Sequence, residues 1–477
     1  MPEGTTLFDI FKPKIKGLPI VRDEIIADIG RGDVMKILAQ LECALTEKRR
    51  HINEFFTQFK PPEAPTFPDH TYDIRDYGAV EGGKEKITAA IRTAIEHCST
   101  DGGGRVIIPK GHWLTGPIHL KSNVDLHFEE GAFVEFSKEF NDYLPVVYGI
   151  LAGNRVYSVS HFIYAYRCKN IAVTGKGILD GHGEAWWYMK KAQPGMEDLM
   201  KKGKALAPMS ERIYDKPEDG VRPRMLQFVE CENILLEGIK LTNSPSWTVH
   251  LAWCNNSTVR NLTVENPEKS PNTDGINLEY CKRGLVDGCT VSGGDDMCCI
   301  KAGRDNDAWE CGKPSEDIEV RNCHAIKCRA GGVTIGSETS ASIRNIYIHD
   351  CYLEQVCSGV NMKTMKGRGG VVENIVFENI TVDLATRDAI RISMRYKGEP
   401  LDDYSQPDHH IPAVRNIYIN NFICHKAPKP MTICGIKDHN IQNVHIANAH
   451  TGAEMPSVID YVENLTMENV DRTEIRE

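Results

Sequence analysis

A four-residue pattern, Asn followed by an apolar residue, any residue and a second apolar residue, recurs through most of the chain. It stands as NIAV at Asn170, NILL at Asn233, NLTV at Asn261, NIYI at Asn345, NIVF at Asn374, NIYI at Asn416, NVHI at Asn443 and NLTM at Asn464. The successive spacings of 63, 28, 84, 29, 42, 27 and 21 residues read as one coil of roughly 20 to 30 residues or a small multiple of it. A unit of one short β-branched run plus turns, without helices between, predicts an all-β solenoid, a parallel β-helix, rather than leucine-rich or ankyrin repeats. Alternation inside each run sends one set of side chains into the solenoid and the other outward. The recurrent Asn is expected to stack or to cap a turn. The competing fold is a β-sandwich in which Asn is only the turn residue ahead of each strand.

The first part of the chain breaks the pattern. Residues 20–58 are rich in helix formers with apolar residues at mixed three and four spacings, which predicts one or two amphipathic helices. KPPEAPTFPDH at 60–70, with four prolines, ends them. The division is therefore an N-terminal helical segment and linker over 1–68 and a β-helix domain over 69–477. A further helix is expected in ITAAIRTAIEHC at 87–98, stopped by Gly102, Gly103 and Gly104.

With 477 residues, 41% hydrophobic and 26% charged, the chain has the balance of a folded globular protein. No run of about 18 apolar residues occurs, and MPEGTTLFDIFKPKIKG lacks the blocks of a secretory signal, so a cytoplasmic location without membrane contact is expected. The 16 cysteines are expected to be reduced and buried as small apolar residues. Cys298, Cys299, Cys323 and Cys328 form no C-x2-C pair, which argues against zinc. A net charge of −10 argues against a nucleic-acid partner, and an anionic ligand would need Lys and Arg gathered locally.

Asp274 in NTDG lies 21 residues before Asp295 and 22 before Asp296 in GGDD. Positions one coil apart in a β-helix stack at about 4.8 Å, so one coil brings three carboxylates together on the outer face. Crowded like charges keep one acid protonated beside ionised neighbours. That is the division of labour that glycoside hydrolysis requires.

The ordered strings NTDGINLEYC, SGGDDMCCIKAGRD, GGVTIGSETS and NMKTMKGRGG resemble the motif set of glycoside hydrolase family 28, the polygalacturonases. YDIRDYGAV, GKGILDGHGEAWW and NSPSW extend the resemblance, and KAGRD and GSETS look like its exo-acting bacterial branch. The resemblance implies a right-handed parallel β-helix and inverting, exo-acting hydrolysis of α-linked galacturonosyl bonds in pectin-derived oligosaccharides, with no metal or organic cofactor. It implies Asp295 as general acid, Asp274 and Asp296 as holders of the water, and Lys363 as partner of the sugar carboxylate. Lys301, Arg304, Lys366 and Arg368 supply the local positive charge, Tyr396 is expected to line the site, and His182 and His250 to be structural or substrate-lining.

Three positions depart from the family pattern. Ala330 or Gly331 stands where a histidine is usual, Asn361 replaces an arginine, and Asn277 replaces a second aspartate. Because Asp274, Asp295, Asp296 and Lys363 are all present, a changed substrate is expected rather than an inactive relative. The expected partner is a short oligosaccharide with a uronic acid on one side of the bond, rhamnogalacturonan-type oligosaccharides included. A non-catalytic carbohydrate-binding β-helix and a Ca²⁺-dependent β-helix lyase are the alternatives. A homo-oligomer is left open, with the N-terminal segment covering the solenoid end or packing against another subunit.

Overall fold

The computed structural model describes residues 61–396 and 410–471. The helices expected over 20–58 lie outside the described residues, and 61–70 run without helix or strand. The helix expected at 87–98 is Thr88–Thr100, ending just ahead of the glycine run. Its buried face, Ala90, Ile91, Ala94, Ile95 and Cys98, packs on the strands Gly104–Ile108 and Val124–Phe128 of the first coils. The first coil thus has its cover from within the β-helix domain, answering the exposed core that a solenoid end presents.

From there the chain winds a right-handed parallel β-helix. Among the described residues, one face is an eleven-stranded sheet, and a twenty-stranded sheet folds around the others. Alternation holds along the strands: Phe228, Leu251, Leu278, Ile300, Ile335, Met362, Ile392 and Ile433 stack inside, all buried. Each such side chain contributes about 1.5–3 kcal/mol by leaving water.

The recurrent asparagines form a ladder. Asn374 donates through Nδ2 to Asn345 Oδ1 at 3.0 Å, Asn416 to Asn374 at 3.0 Å, Asn443 to Asn416 at 2.9 Å and Asn464 to Asn443 at 3.1 Å. All five have a positive φ of 55–60°, the left-handed region that Asn tolerates better than other side-chain-bearing residues. Asn261 does not belong to it. That coil uses Asn256, which donates to Asn233 Oδ1 at 3.0 Å, while Asn261 sits past the far end of the same strand. The 63- and 42-residue spacings are also single coils rather than multiples, because Lys169–Gly175 pairs directly with Glu232–Glu237 and Val371–Ala385 with Ala413–Ala427. The extra residues are excursions.

Replacing Asn374 by Ala removes two ladder bonds and strains a positive φ, and is expected to cost about 2–4 kcal/mol in urea unfolding. Asn374→Gly, which fits the backbone, should cost less. Equal losses would mean that φ plays no part.

The stretch from Phe140 to Arg222 holds two excursions that the strand pattern did not show, one on either side of the coil strands Ile163–Tyr166, Lys169–Gly175 and Ile178–Asp180. They carry an antiparallel hairpin, Val147–Leu151 with Asn154–Ser158, and the helix Pro194–Lys204. Arg155 binds Asp307 through its backbone N–H at 2.7 Å and its guanidinium at 2.6 Å, and Asn306 Nδ2 donates to Lys204 O at 2.6 Å. These bonds fasten the appendage onto the cleft face.

Candidate active site

Outward positions of the eleven-stranded sheet form two polar columns. Register places Gln227, His250, Asn277, Cys299, Thr334, Asn361, Arg391 and Thr432 in one. The second holds Glu279, Lys301 and, beyond Gly336, Lys363. The turns entering these strands carry the aspartates. Ile276 pairs with Cys298, so Asp274 and Asp296, each two residues ahead, stack, and Gly275 N–H donates to Asp296 O at 3.0 Å. Asp295 falls between Thr273 and Ala330 on the neighbouring coils, and Ala330 N–H donates to its carbonyl at 3.4 Å. The three expected carboxylates are therefore together.

Asp296 is the most heavily tied. Its Oδ1 accepts from Gly331 N–H at 2.6 Å and Thr334 Oγ1 at 2.7 Å, and its Oδ2 from Lys363 Nζ at 2.9 Å. Burial works to raise its pKa, but the ammonium groups of Lys363 and Lys301 outweigh it and hold the carboxyl below the usual range. Asp274 is the opposite case: burial, then the Asp295 charge, push it up to about 7. Burial, then Asp296, likewise raise Asp295. Asp274 and Asp295 are thus both shifted towards the protonated form, beside an Asp296 shifted towards the ionised one.

Gly331 is explained by this geometry. A Cβ there would stand 2.4 Å from Thr334 Oγ1 and 2.6 Å from Asn361 Nδ2, so a side chain would push Thr334 off Asp296. Ala330, beside Asp295, is the position left without a polar group.

Three residues that the motifs did not single out complete the surroundings. Cys299 Sγ lies 3.3 Å from Asp296 Oδ2 and 3.6 Å from Asp274 Oδ2. Thr334 fixes Asp296, and Asn272 Nδ2 donates to Asp295 Oδ2 at 3.3 Å while its own Oδ1 accepts from Arg222 at 2.9 Å. Asn272 opens the NTDG string, so a signal for it was present; Thr334 and Cys299 become visible only through register. Asp274 Oδ1 and both amide atoms of Asn277 are buried without a partner among the described residues.

The predicted cations divide into two groups. Lys363 stands on Asp296, with its Nζ 5.5 Å from the centre of the half-exposed Tyr396 ring. Lys301 Nζ lies 3.7 Å from Asp274 Oδ2, 3.3 Å from Glu338 Oε2 and 4.2 Å over Trp247. Arg304 binds Glu338 Oε1 at 2.7 Å and Met200 of the appendage, and Arg368 is tied to Asp305 and Ser337 O. These two arginines support the cleft from behind. Lys366 is on the turn beyond Lys363, and Asn361 Nδ2 donates to Thr334 Oγ1 at 3.0 Å.

The histidines are structural in different ways. His182 contacts Glu135 Oε1 at 2.9 Å, on the face of the neighbouring sheet. His250 belongs to the cleft column but is fully buried between Gln227 and Glu279, and burial holds its pKa well below the usual value. Asp274, Asp296 and Cys299 also present ligand-type atoms within 4.8 Å of one another. Lys363 and Lys301 already neutralise these oxygens, so a metal ion there would have to displace ammonium groups.

Over residues 213–421 the sequence matches Glycosyl hydrolases family 28. The crystal structure of a hyperthermoactive exopolygalacturonase from Thermotoga maritima is similar at 33% identity and a TM-score of 0.81, covering 88% of this chain and 94% of that one. A family 28 exopolygalacturonase from Yersinia enterocolitica shares the fold at 20% identity and a TM-score of 0.67, over 86% of this chain and 77% of that one. A probable polygalacturonase from Vitis vinifera is 25% identical over 400 residues, 82% of this chain and 76% of the relative.

Proposed function

The chain belongs to glycosyl hydrolases family 28, and on that footing we propose that it hydrolyses α-linked galacturonosyl bonds in pectin-derived oligosaccharides, one unit at a time from a chain end, with inversion. Asp295 protonates the leaving glycosidic oxygen. Water held between Asp274 and Asp296 attacks the anomeric carbon from the opposite side and gives its proton to Asp296, the member already ionised. Lys363 meets the carboxylate of the sugar being released.

The observation that carries the exo reading is a gradient of burial along one outward column. Gln227, His250, Asn277, Cys299 and Thr334 are 0% exposed, whereas Asn361, Arg391 and Thr432 reach 6%, 8% and 9%. The appendage covers the start of the column: Gln227 Nε2 donates to Ile150 O at 2.9 Å, and Tyr280 OH to Gly153 O at 3.1 Å. A sugar chain entering over the later coils meets a wall just past the aspartates. A cytoplasmic location goes with this reading, since short oligosaccharides are what an importer delivers and the thiols serve as core residues.

The test is digestion of defined galacturonides with product analysis over time. Monosaccharide from the first minutes, appearing by proton NMR as the β-anomer, is expected. Mid-chain cuts would overturn the exo reading, and an initial α-anomer the inverting one.

A further inference from the structure

Arg222 is a buried guanidinium without a carboxylate. It is 5% exposed and donates to Pro245 O at 2.9 Å, Pro271 O at 2.6 Å and Asn272 Oδ1 at 2.9 Å, and no Asp or Glu pairs with it among the described residues. Burial lowers its pKa to about 10, so it keeps its charge near neutral pH, and the carboxylates that act on it from a distance are Asp274 and Asp295. A buried charge held by neutral acceptors alone is a cost to stability. That points to a role other than stability.

Register explains the contacts. Leu226, Val249 and Ile276 are paired on successive coils, and Arg222, Pro245 and Asn272 each stand four residues ahead of them. The arginine therefore reaches across two coil spacings of about 4.8 Å each, passing the Pro245 carbonyl to end on Asn272. Because a guanidinium only donates, it settles which way the Asn272 amide faces: Oδ1 towards Arg222, Nδ2 towards Asp295 Oδ2 at 3.3 Å. The backbone N–H of Asp296 holds the other oxygen, Asp295 Oδ1, at 3.1 Å. The carboxyl of Asp295 is thus gripped on both oxygens, once by backbone and once by an amide whose orientation comes from Arg222.

We propose that Arg222 is a positioning residue for proton delivery: by fixing the Asn272 amide, it holds the Asp295 carboxyl at the angle from which its proton reaches the leaving oxygen. The inference rests on the hydrolase reading above, with Asp295 as its acid. Without the guanidinium, Asn272 is free to turn its amide over, and Asp295 swings about its Cβ–Cγ bond on the single remaining grip. A small misplacement of a reacting group costs up to about a hundredfold in rate. The loss falls on kcat, since binding of the sugar is left to other residues.

The test uses two substrates that differ in their need for the proton: digalacturonide, and 4-nitrophenyl α-galacturonide, whose nitrophenolate leaves unassisted. Arg222→Met should lower kcat on digalacturonide about 30- to 100-fold, with KM within about threefold, and lower kcat on the nitrophenyl substrate by less than about fivefold. Arg222→Lys, which can still donate to Asn272 Oδ1, should recover part of the loss. Asn272→Gly, which suits the φ of 54° there, should reproduce the selective loss. Adding Arg222→Met to it should cost less than about a further twofold. Both rates come from one preparation, so their ratio does not depend on how much of a variant folds. Equal losses on the two substrates in Arg222→Met would overturn the proposal, as would losses that multiply in the double variant. Asp295→Asn run alongside separates the failures: a selective loss there with none in Arg222→Met sinks the role of Arg222 alone. Cleavage of neither substrate by the unmodified protein would bring down the hydrolase reading, and this proposal with it.

Discussion

Asp295→Asn should lower turnover on a short galacturonide by about a thousandfold, within the 10²–10⁴ that a positioned general acid contributes. The amide still fills the site and can still accept a hydrogen bond from the N–H of Asp296, which now goes to Asp295 Oδ1 at 3.1 Å. What it cannot do is deliver a proton to the departing oxygen. Stability should change by less than about 1 kcal/mol, because the residue is half-buried and the swap conserves shape. Two readouts separate an acid from a residue that only shapes the cleft. An aryl galacturonide whose leaving group needs no proton should be cleaved with a much smaller loss. The pH profile should change as well: burial and then the Asp296 charge raise the pKa of Asp295, so in the unmodified protein kcat/KM should fall as rising pH removes its proton, and in the variant that limb should no longer report the acid. Near-normal turnover on the galacturonide would remove Asp295 from the role.

The aspartate trio was legible because nothing interrupts the coil between Asp274 and Asp296: a spacing of 22 residues is one turn of the solenoid, and sequence distance translates into stacking. The same arithmetic misleads where a coil carries an excursion. The 63-residue step from Asn170 to Asn233 is one coil plus the excursion that forms the helix Pro194–Lys204, while the hairpin that shuts the cleft belongs to the coil before it, and PGMEDLMKKGK has only Met196, Leu199 and Met200 as large apolar residues to announce its helix. Arg391 lies one ordinary coil past Asn361, but no motif marks the register that pairs the two. Thr334 illustrates a different limit. It lies in GGVTIGS, in plain view, but its hold on Asp296 follows from strand register across a gap of 38 residues. Ala330 or Gly331 reads as a lost histidine in the sequence, and in the fold Gly331 has no room for a Cβ beside Thr334 and Asn361.

Lys363→Ala should lower kcat/KM by about a hundredfold or more, through two effects that can be told apart. The first is on the base. Asp296 is buried and kept ionised chiefly by Lys363, whose Nζ donates to Oδ2 at 2.9 Å, with Lys301 behind. Without that ammonium, burial acts with less opposition and the folded pKa of Asp296 rises. Asp296 must be ionised to take the proton of water, so at any pH on the acid side a smaller fraction of the enzyme is competent. The ascending limb of the pH–kcat profile should therefore move to higher pH. The second effect is on the substrate: the sugar carboxylate loses its cation and KM rises. Removing one partner of a buried pair also costs about 3–5 kcal/mol of stability, so the comparison needs Lys363→Arg, which keeps the charge. That variant should leave the ascending limb in place and change KM only, because a planar fork meets the carboxylates differently from a point charge. If Lys363→Ala raises KM while the ascending limb stays where it was, Lys363 serves the sugar alone, and the ionised state of Asp296 must be credited to Lys301, Thr334 and the Gly331 N–H.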